Sequence, residues 1–145
     1  MTVMISTKGR YALRVLVDML EHQSQGYVPL KEIADRQDIS EKYLESIMKL
    51  LVKGGVLSGL RGKGGGYRFI MPPERCSVGF ILRMTEGTLA PVACLEPGAP
   101  LCDQAVNCRT LEMWQGLDRV INEYLDRYTI ADLVQTGAPG DNYVI

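Results

Sequence analysis

Three cysteines stand within fifteen residues of this chain. Cys94, Cys102 and Cys108 are separated by seven and then five residues in the stretch CLEPGAPLCDQAVNC. Thiolates are soft ligands that hold zinc and iron–sulfur clusters, and they are also the nucleophiles of disulfide exchange. A structural zinc site usually draws ligands from a tight Cys-x-x-Cys pair, and this loop has none. Wider gaps in a Pro- and Gly-rich loop suit a larger object, an iron–sulfur cluster. Spacing alone leaves zinc and a thiol redox switch as alternatives. A fourth cysteine, Cys76, lies just after Pro72 and Pro73 at the start of a helix and reads as structural, with a fourth-ligand role as its alternative.

The second stretch with chemistry in it is RGKGGG at 61–66. A phosphate-binding P-loop needs Gly, four residues, then Gly-Lys-Ser/Thr. Here Gly62-Lys63 is followed by Gly64, and the position five before Gly62 is Leu57. The dinucleotide pattern fails too, because Tyr67 stands where its third glycine belongs. A slim hairpin tip carrying Arg61 and Lys63 fits better as a wing whose arginine enters a minor groove. A plain hairpin turn is the alternative.

The third stretch is the polar side of residues 40–49. Ser40, Lys42, Tyr43, Glu45, Ser46 and Lys49 offer hydrogen-bonding side chains with little apolar bulk, as a helix entering a major groove requires. The lysines suit phosphate or guanine, and Glu45 can accept from cytosine. Glu41 in the first turn and Lys31 on the preceding helix complete the expected DNA-binding set. His22, the single histidine, reads as a helix-end residue. No Ser/His/Asp or Cys/His arrangement and no framed pair of carboxylates occurs, so neither an enzyme nor a small-molecule substrate is expected.

These groups need elements to position them. The charge is uneven: residues 1–72 hold eleven Lys/Arg against seven Asp/Glu, a balance of +4, and residues 73–145 hold five against ten, a balance of −5. A basic half joined to an acidic half suggests a polyanion-binding module with an appended part. Apolar residues make up 46% and charged residues 23% of 145, ordinary for one globular domain. The opening stretch is broken by Arg14 and Asp18, unlike a signal peptide, and no run is long enough to span a bilayer. A cytoplasmic location without membrane contact is the expectation.

Apolar spacing predicts a helix over 6–23 (Leu13, Leu16, Val17, Leu20) and a short one over 29–37. A turn ending in Ser40 leads to a third over 41–55, with Leu44, Ile47, Met48 and Leu51 as its buried stripe. Strands at 56–60 and 67–71 flank the glycine tip. This order predicts a mainly α fold with a small β-hairpin wing, a winged helix-turn-helix over 1–72. A connecting helix follows within 73–90, then the cysteine loop at 91–107. The stretch 108–128 carries Leu111, Trp114, Leu117, Ile121, Tyr124, Leu125 and Tyr128 at helical spacing. So long an apolar stripe lacks an obvious partner within the chain. A short helix over 129–134, capped by Thr129 and Asp132, closes the 108–134 unit, and 135–145 form a tail.

Taken together, ISTKGRYAL, PLKEIADRQDISEKYLESIMKLL, GLRGKGGGYRF, CRTLEMW and TIADLV resemble the IscR-type, or Rrf-two, family of winged-helix transcription regulators over nearly the whole chain. The resemblance implies a homodimer on double-stranded operator DNA, with the long helix crossing between subunits. It implies readout by Ser40, Tyr43, Glu45 and Arg61. It also implies an iron–sulfur cluster on Cys94, Cys102 and Cys108, 2Fe–2S in preference to 4Fe–4S. Two departures leave the fourth ligand open. Leu111 stands where 2Fe–2S members have a histidine, and Arg10 where others use an aspartate. Glu96, Asp103, Glu112, Cys76 or the other subunit are the candidates. A cluster-free or zinc-bound regulator is the rival within the family, and a small iron–sulfur redox protein the rival outside it.

Overall fold

Three serines each stand one residue ahead of a helix and accept a hydrogen bond from its first turn. Ser6 accepts from the Gly9 amide at 3.2 Å, Ser40 from Tyr43 at 3.1 Å and Ser77 from Phe80 at 3.0 Å. Each satisfies a backbone donor that the helix itself leaves orphaned. The computed structural model describes residues 5–22, 26–100 and 107–136. Cys102, Asp103 and the tail beyond 136 lie outside the described residues.

The helices are α1 (Thr7–Glu21), α2 (Leu30–Gln37), α3 (Glu41–Lys53), α4 (Val78–Glu86), α5 (Leu111–Asp126) and α6 (Ile130–Thr136). Strands β1 (Leu57–Leu60) and β2 (Gly66–Phe69) form an antiparallel hairpin in which Leu57 faces Phe69 and Gly59 faces Tyr67. Short 3-10 turns occupy Pro73–Arg75 and Ala93–Leu95. The order is the one expected, with ends one to three residues shorter in most helices. The capping box also forms: the Thr129 amide donates to Asp132 at 3.0 Å and the Asp132 amide to Thr129 Oγ1 at 3.1 Å.

The core gathers Ala12, Val15, Leu16 and Met19 of α1, Ile33 of α2, and Leu44, Ile47, Met48 and Leu51 of α3. Val56, Leu57, Cys76, Ile81 and Ile130 close it. Beside it, one charged residue is buried among the described residues. Asp18, 2% exposed, takes two bonds from Arg36 Nε (2.9 and 3.2 Å), one from Arg36 Nη2 (2.9 Å) and one from Gln37 Nε2 (3.2 Å). That fork joins α1 to the last turn of α2. Asp38 then enters the left-handed region (φ 55°, ψ 51°), which Asp tolerates better than most residues. The chain thus turns sharply into α3.

The wing is anchored by Val28, whose amide and carbonyl exchange bonds with Tyr67 at 2.8 and 2.9 Å. Gly66, at φ +139°, lies against the Val28 carbonyl, where a Cβ would collide. Glycine here lets three chain segments meet at the foot of the wing.

α5 differs from the expectation in one respect. Its stripe divides between two faces. Ile121, Leu125 and, just beyond the helix, Tyr128 pack on a second cluster of Val78, Leu82 and Leu89. Met113, Leu117, Val120 and Tyr124 stay outward, 56%, 41%, 60% and 50% exposed. Ile121 is therefore not part of the unpartnered face, which Met113 and Val120 join instead. Among the described residues, no helix is long and apolar enough to cross a membrane.

Arg36→Ala would leave the Asp18 carboxylate buried without its main partner. Urea unfolding should show a loss of about 3 kcal/mol, and Arg36→Lys should recover only part of it because an ammonium cannot fork. Wild-type stability in Arg36→Ala would show that Asp18 needs no such clamp.

Candidate nucleic-acid interface and cysteine loop

α3 packs into the core through its stripe at 44, 47, 48 and 51, which is wholly buried. Its other side is open. Glu41, Lys42, Glu45 and Lys49 are exposed, and Ser40 lies exposed at the cap. Tyr43 is half-buried, edge-on to Tyr11 with ring centres 6.0 Å apart. Ser46 donates its hydroxyl to the Tyr43 carbonyl at 2.6 Å, so its proton is already used. Lys49 and Glu45 pair loosely at 3.7 Å, both in solvent. Such a pair contributes little and is cheap to break.

A groove of about 660 Å³ separates this side of α3 from the wing. Glu45, Lys49 and Lys53 line one wall, and Leu60, Arg61 and Tyr67 line the other. Burial pushes the Tyr67 hydroxyl pKa above its ordinary value, the Glu45 carboxylate adds to this, and Arg61 opposes it. The sequence-predicted α3 residues Glu45 and Lys49 thus share one cleft with Arg61. Lys63 is exposed at the tip beyond it, and Lys31 is exposed on α2.

Sequence reasoning missed two cationic stacks beside this surface. The Arg14 guanidinium lies 4.7 Å from the Tyr11 ring centre and donates to the Gln37 side chain at 3.1 Å. Arg68 lies 4.9 Å from the centre of Tyr27. The first had a local signal, since Tyr11 and Arg14 stand three apart on one helix. The second is long-range and had none.

The cysteines occupy different environments. Cys94 is exposed in the Ala93–Leu95 turn. Cys108, half-buried, stands three residues ahead of α5 with the Thr110 hydroxyl 3.6 Å from its sulfur. Bonds from that hydroxyl and then from the Thr110 and Leu111 amides lower its pKa below the usual thiol value. Cys76 is the opposite case. It is wholly buried in the main core, and burial pushes its pKa up to about 11. A core thiol held protonated fits the packing reading of Cys76 better than the fourth-ligand one. Leu111 begins α5 and Arg10 bonds Thr7 at 3.2 Å, so neither position supplies one. No group of three His, Cys, Asp or Glu able to hold a metal occurs among the described residues, which omit Cys102.

Three packed helices, a capped third helix and a glycine-tipped hairpin across a groove define a winged helix-turn-helix regulator. Residues 5–136 match the Rrf2 family, described as an iron-dependent transcriptional regulator. The transcriptional regulator IscR of Aliivibrio salmonicida is 33% identical over 130 residues, covering 90% of this chain and 76% of that one. CymR, the global cysteine regulator of B. subtilis, aligns with a TM-score of 0.76 at 29% identity, over 93% of this chain and 98% of that one. IscR of T. potens aligns with a TM-score of 0.73 at 31% identity, over 97% and 93%. The chain belongs to the Rrf2 family of transcriptional regulators.

Iodoacetamide reads the thiol environments directly. At pH 7 in the metal-free, reduced protein, Cys108 should alkylate faster than a free cysteine, because a lowered pKa leaves more thiolate. Cys76 should remain unmodified until urea unfolds the chain. Mass spectrometry that finds Cys76 labelled in the folded protein would contradict its burial.

Proposed function

We propose that this regulator acts as a homodimer on double-stranded operator DNA, and that an iron–sulfur cluster held by Cys94, Cys102 and Cys108 modulates its binding. The observation that carries the DNA reading is the groove in which the exposed side of α3 faces Arg61 of the wing. The N-terminal part of α3 enters the major groove, where Ser40, Tyr43 and Glu45 meet base edges. Tyr43 is braced from behind by Tyr11, which limits the freedom it must lose on binding. Lys31, Lys42, Lys49 and Lys63 meet phosphates, with Glu41 and Ser46 at the edge of the contact surface. Arg61 enters the minor groove, where a tip free of side-chain bulk allows close approach.

The outward face of α5 supports dimerisation. Met113, Leu117, Val120 and Tyr124 recur at intervals of four, three and four, the spacing of a helix seam with one face covered by another helix. A second copy covers it and brings two recognition helices to two half-sites.

The donor chemistry supports the cluster. Cys108 favours the thiolate that iron ligation needs, and Cys94 is accessible from solvent. When bound, such a cluster supplies a centre sensitive to oxygen and redox state. Glu96, Glu112 and the partner subunit are better candidates than Cys76 for the fourth ligand, together with Asp103 outside the described residues. The fold likeness to CymR supports a second reading, a cluster-free regulator with the same DNA interface.

Binding to a duplex selected by the protein from a random pool tests the interface. With about eight phosphates neutralised per dimer, log affinity should fall against log salt with a slope near −7. Arg61→Ala should cost about 1–3 kcal/mol and relax any preference for A/T-rich sequence beneath the wing. Leu117→Glu with Val120→Glu should give a monomer by sedimentation and lose tight binding. Salt-independent affinity, or an Arg61→Ala variant with wild-type selectivity, would overturn this interface.

Anaerobic reconstitution tests the cluster. The wild type should gain visible absorbance with stoichiometric iron and sulfide, and each of Cys94→Ala, Cys102→Ala and Cys108→Ala should lose it. Zinc without sulfide in anaerobically purified protein, or three variants with unchanged spectra, would remove the cluster from the proposal.

A further inference from the structure

Beside their apolar contacts, α5 and α4 are joined by a backbone bridge and by a set of directional side chains, and the two do different work. The first is backbone. The Val78 amide donates to the Tyr128 carbonyl at 2.8 Å and the Ile130 amide to Cys76 at 2.9 Å, forming a single antiparallel bridge. This pins the end of α5 to the beginning of α4. One pin fixes position and leaves the angle between the helices free. The apolar contacts of Ile121 and Leu125 are non-directional and specify that angle less sharply than hydrogen bonds do.

The second point is made of directional side chains. Arg83 of α4 donates from Nη1 to Asn122 at 2.9 Å and from Nη2 to Asp126 at 2.8 Å. Asp126 also accepts from the Ser77 hydroxyl at 3.2 Å. Asn122 is itself oriented, since its Nδ2 donates to the Asp118 carbonyl at 2.8 Å and to the Asp118 side chain at 3.2 Å. Its own carbonyl is thereby turned towards Arg83. Gly79 makes the approach possible, because a Cβ there would collide with the Asp126 carboxylate. Gly79 and Arg83 are four apart on one helix, as are Asn122 and Asp126 on the other, so two facing rows meet.

Magnitude decides what this second point is for. The side chains of Arg83 and Asp126 are 38% and 42% exposed, and a pair so open to water contributes little to stability. Geometry is a different matter. α5 has 16 residues and is about 24 Å long at roughly 1.5 Å per residue. Turning such a lever by about 10° moves its far end by about 4 Å, close to the roughly 3.4 Å rise of one base pair.

We propose that Arg83, Asn122, Asp126 and Gly79 form a lock on the α4–α5 angle that sets the spacing at which two copies engage operator half-sites. They are positioning residues and touch no DNA. This inference rests on the dimeric, DNA-binding reading above.

The test uses the full-length protein and a duplex selected by the wild type from a random pool, together with versions carrying one base pair more or fewer between half-sites. The wild type should prefer its selected spacing by about tenfold or more, a difference of about 1.4 kcal/mol. Arg83→Met and Gly79→Ala should each cut that preference to about threefold or less while remaining dimeric by sedimentation and as helical as the wild type. Arg83→Glu with Asp126→Arg should restore much of it. Variants that keep the full preference, or that lose affinity equally at every spacing, would overturn the lock. A wild type that is monomeric or binds no duplex would overturn the dimeric reading itself, and the lock with it.

Discussion

A carboxylate buried in a small helical core is costly unless every lone pair finds a donor, and Asp18 is placed under that constraint. Arg36 and Gln37 meet it from the last turn of α2, so the end of α2 is held against the middle of α1. The bond to Asp18 is also the main cause of the raised Arg36 pKa. Because Arg36 lies two residues before Asp38, the fork fixes where the left-handed turn begins. The direction of α3 follows from that turn, and with it the groove shared with Arg61. An apolar pair at positions 18 and 36 would contribute burial without orientation. The forked geometry fixes orientation as well as contact.

α4 is the second structural junction. Its first turn receives the Asp126 carboxylate and the bridge at Thr129, and its last residue receives α1. Glu86 accepts from the Ser6 hydroxyl at 2.6 Å and from the Ser6 amide at 3.2 Å. Ser6 therefore caps α1 and ties it to the far end of α4 at once. A carboxylate in a helix's C-terminal turn opposes the helix dipole, and two bonds from α1 offset that cost. A displacement of α5 has a continuous path of packed and bonded groups to α1, and through the Tyr11–Tyr43 contact to the start of α3.

What could be read from the sequence was local. Ser40 announces a helix start because a cap depends on residues three positions away, and the Thr129–Asp132 box is equally short-range. The buried stripe of α3 is visible because one face of one helix is involved. The wing was legible as a glycine tip between two short strands, but its anchoring to Val28 was not, since that bridge joins segments about forty residues apart in the chain. The stripe on α5 misleads for a related reason. Leu117, Ile121, Tyr124 and Leu125 fall near one another on a helical projection, yet α4 claims Ile121 and Leu125 and leaves Leu117 and Tyr124 outside. Periodicity reports that a face is apolar and says nothing about how many partners divide it. The Asp18–Arg36 fork was equally hidden, because pairing across helices leaves no fixed spacing.

The cysteines show how the same residue type is assigned to different chemistry by its surroundings. Cys76 sits among apolar side chains with its carbonyl bonded to Ile130, and desolvation holds the thiol protonated. Cys108 stands at the entrance to α5, where the Thr110 hydroxyl and nearby backbone amides favour negative charge on its sulfur. A helix entrance offers unpaired amides whichever residue precedes it, so a thiolate there is favoured at almost no structural cost. It is also mechanically the most consequential place for one. Any group that binds Cys108 acts on the end of α5 furthest from the pin at Thr129, where a small force has the longest arm. The thiol with the lowered pKa thus stands outside the core, near the end of α5 furthest from the bridge at Thr129.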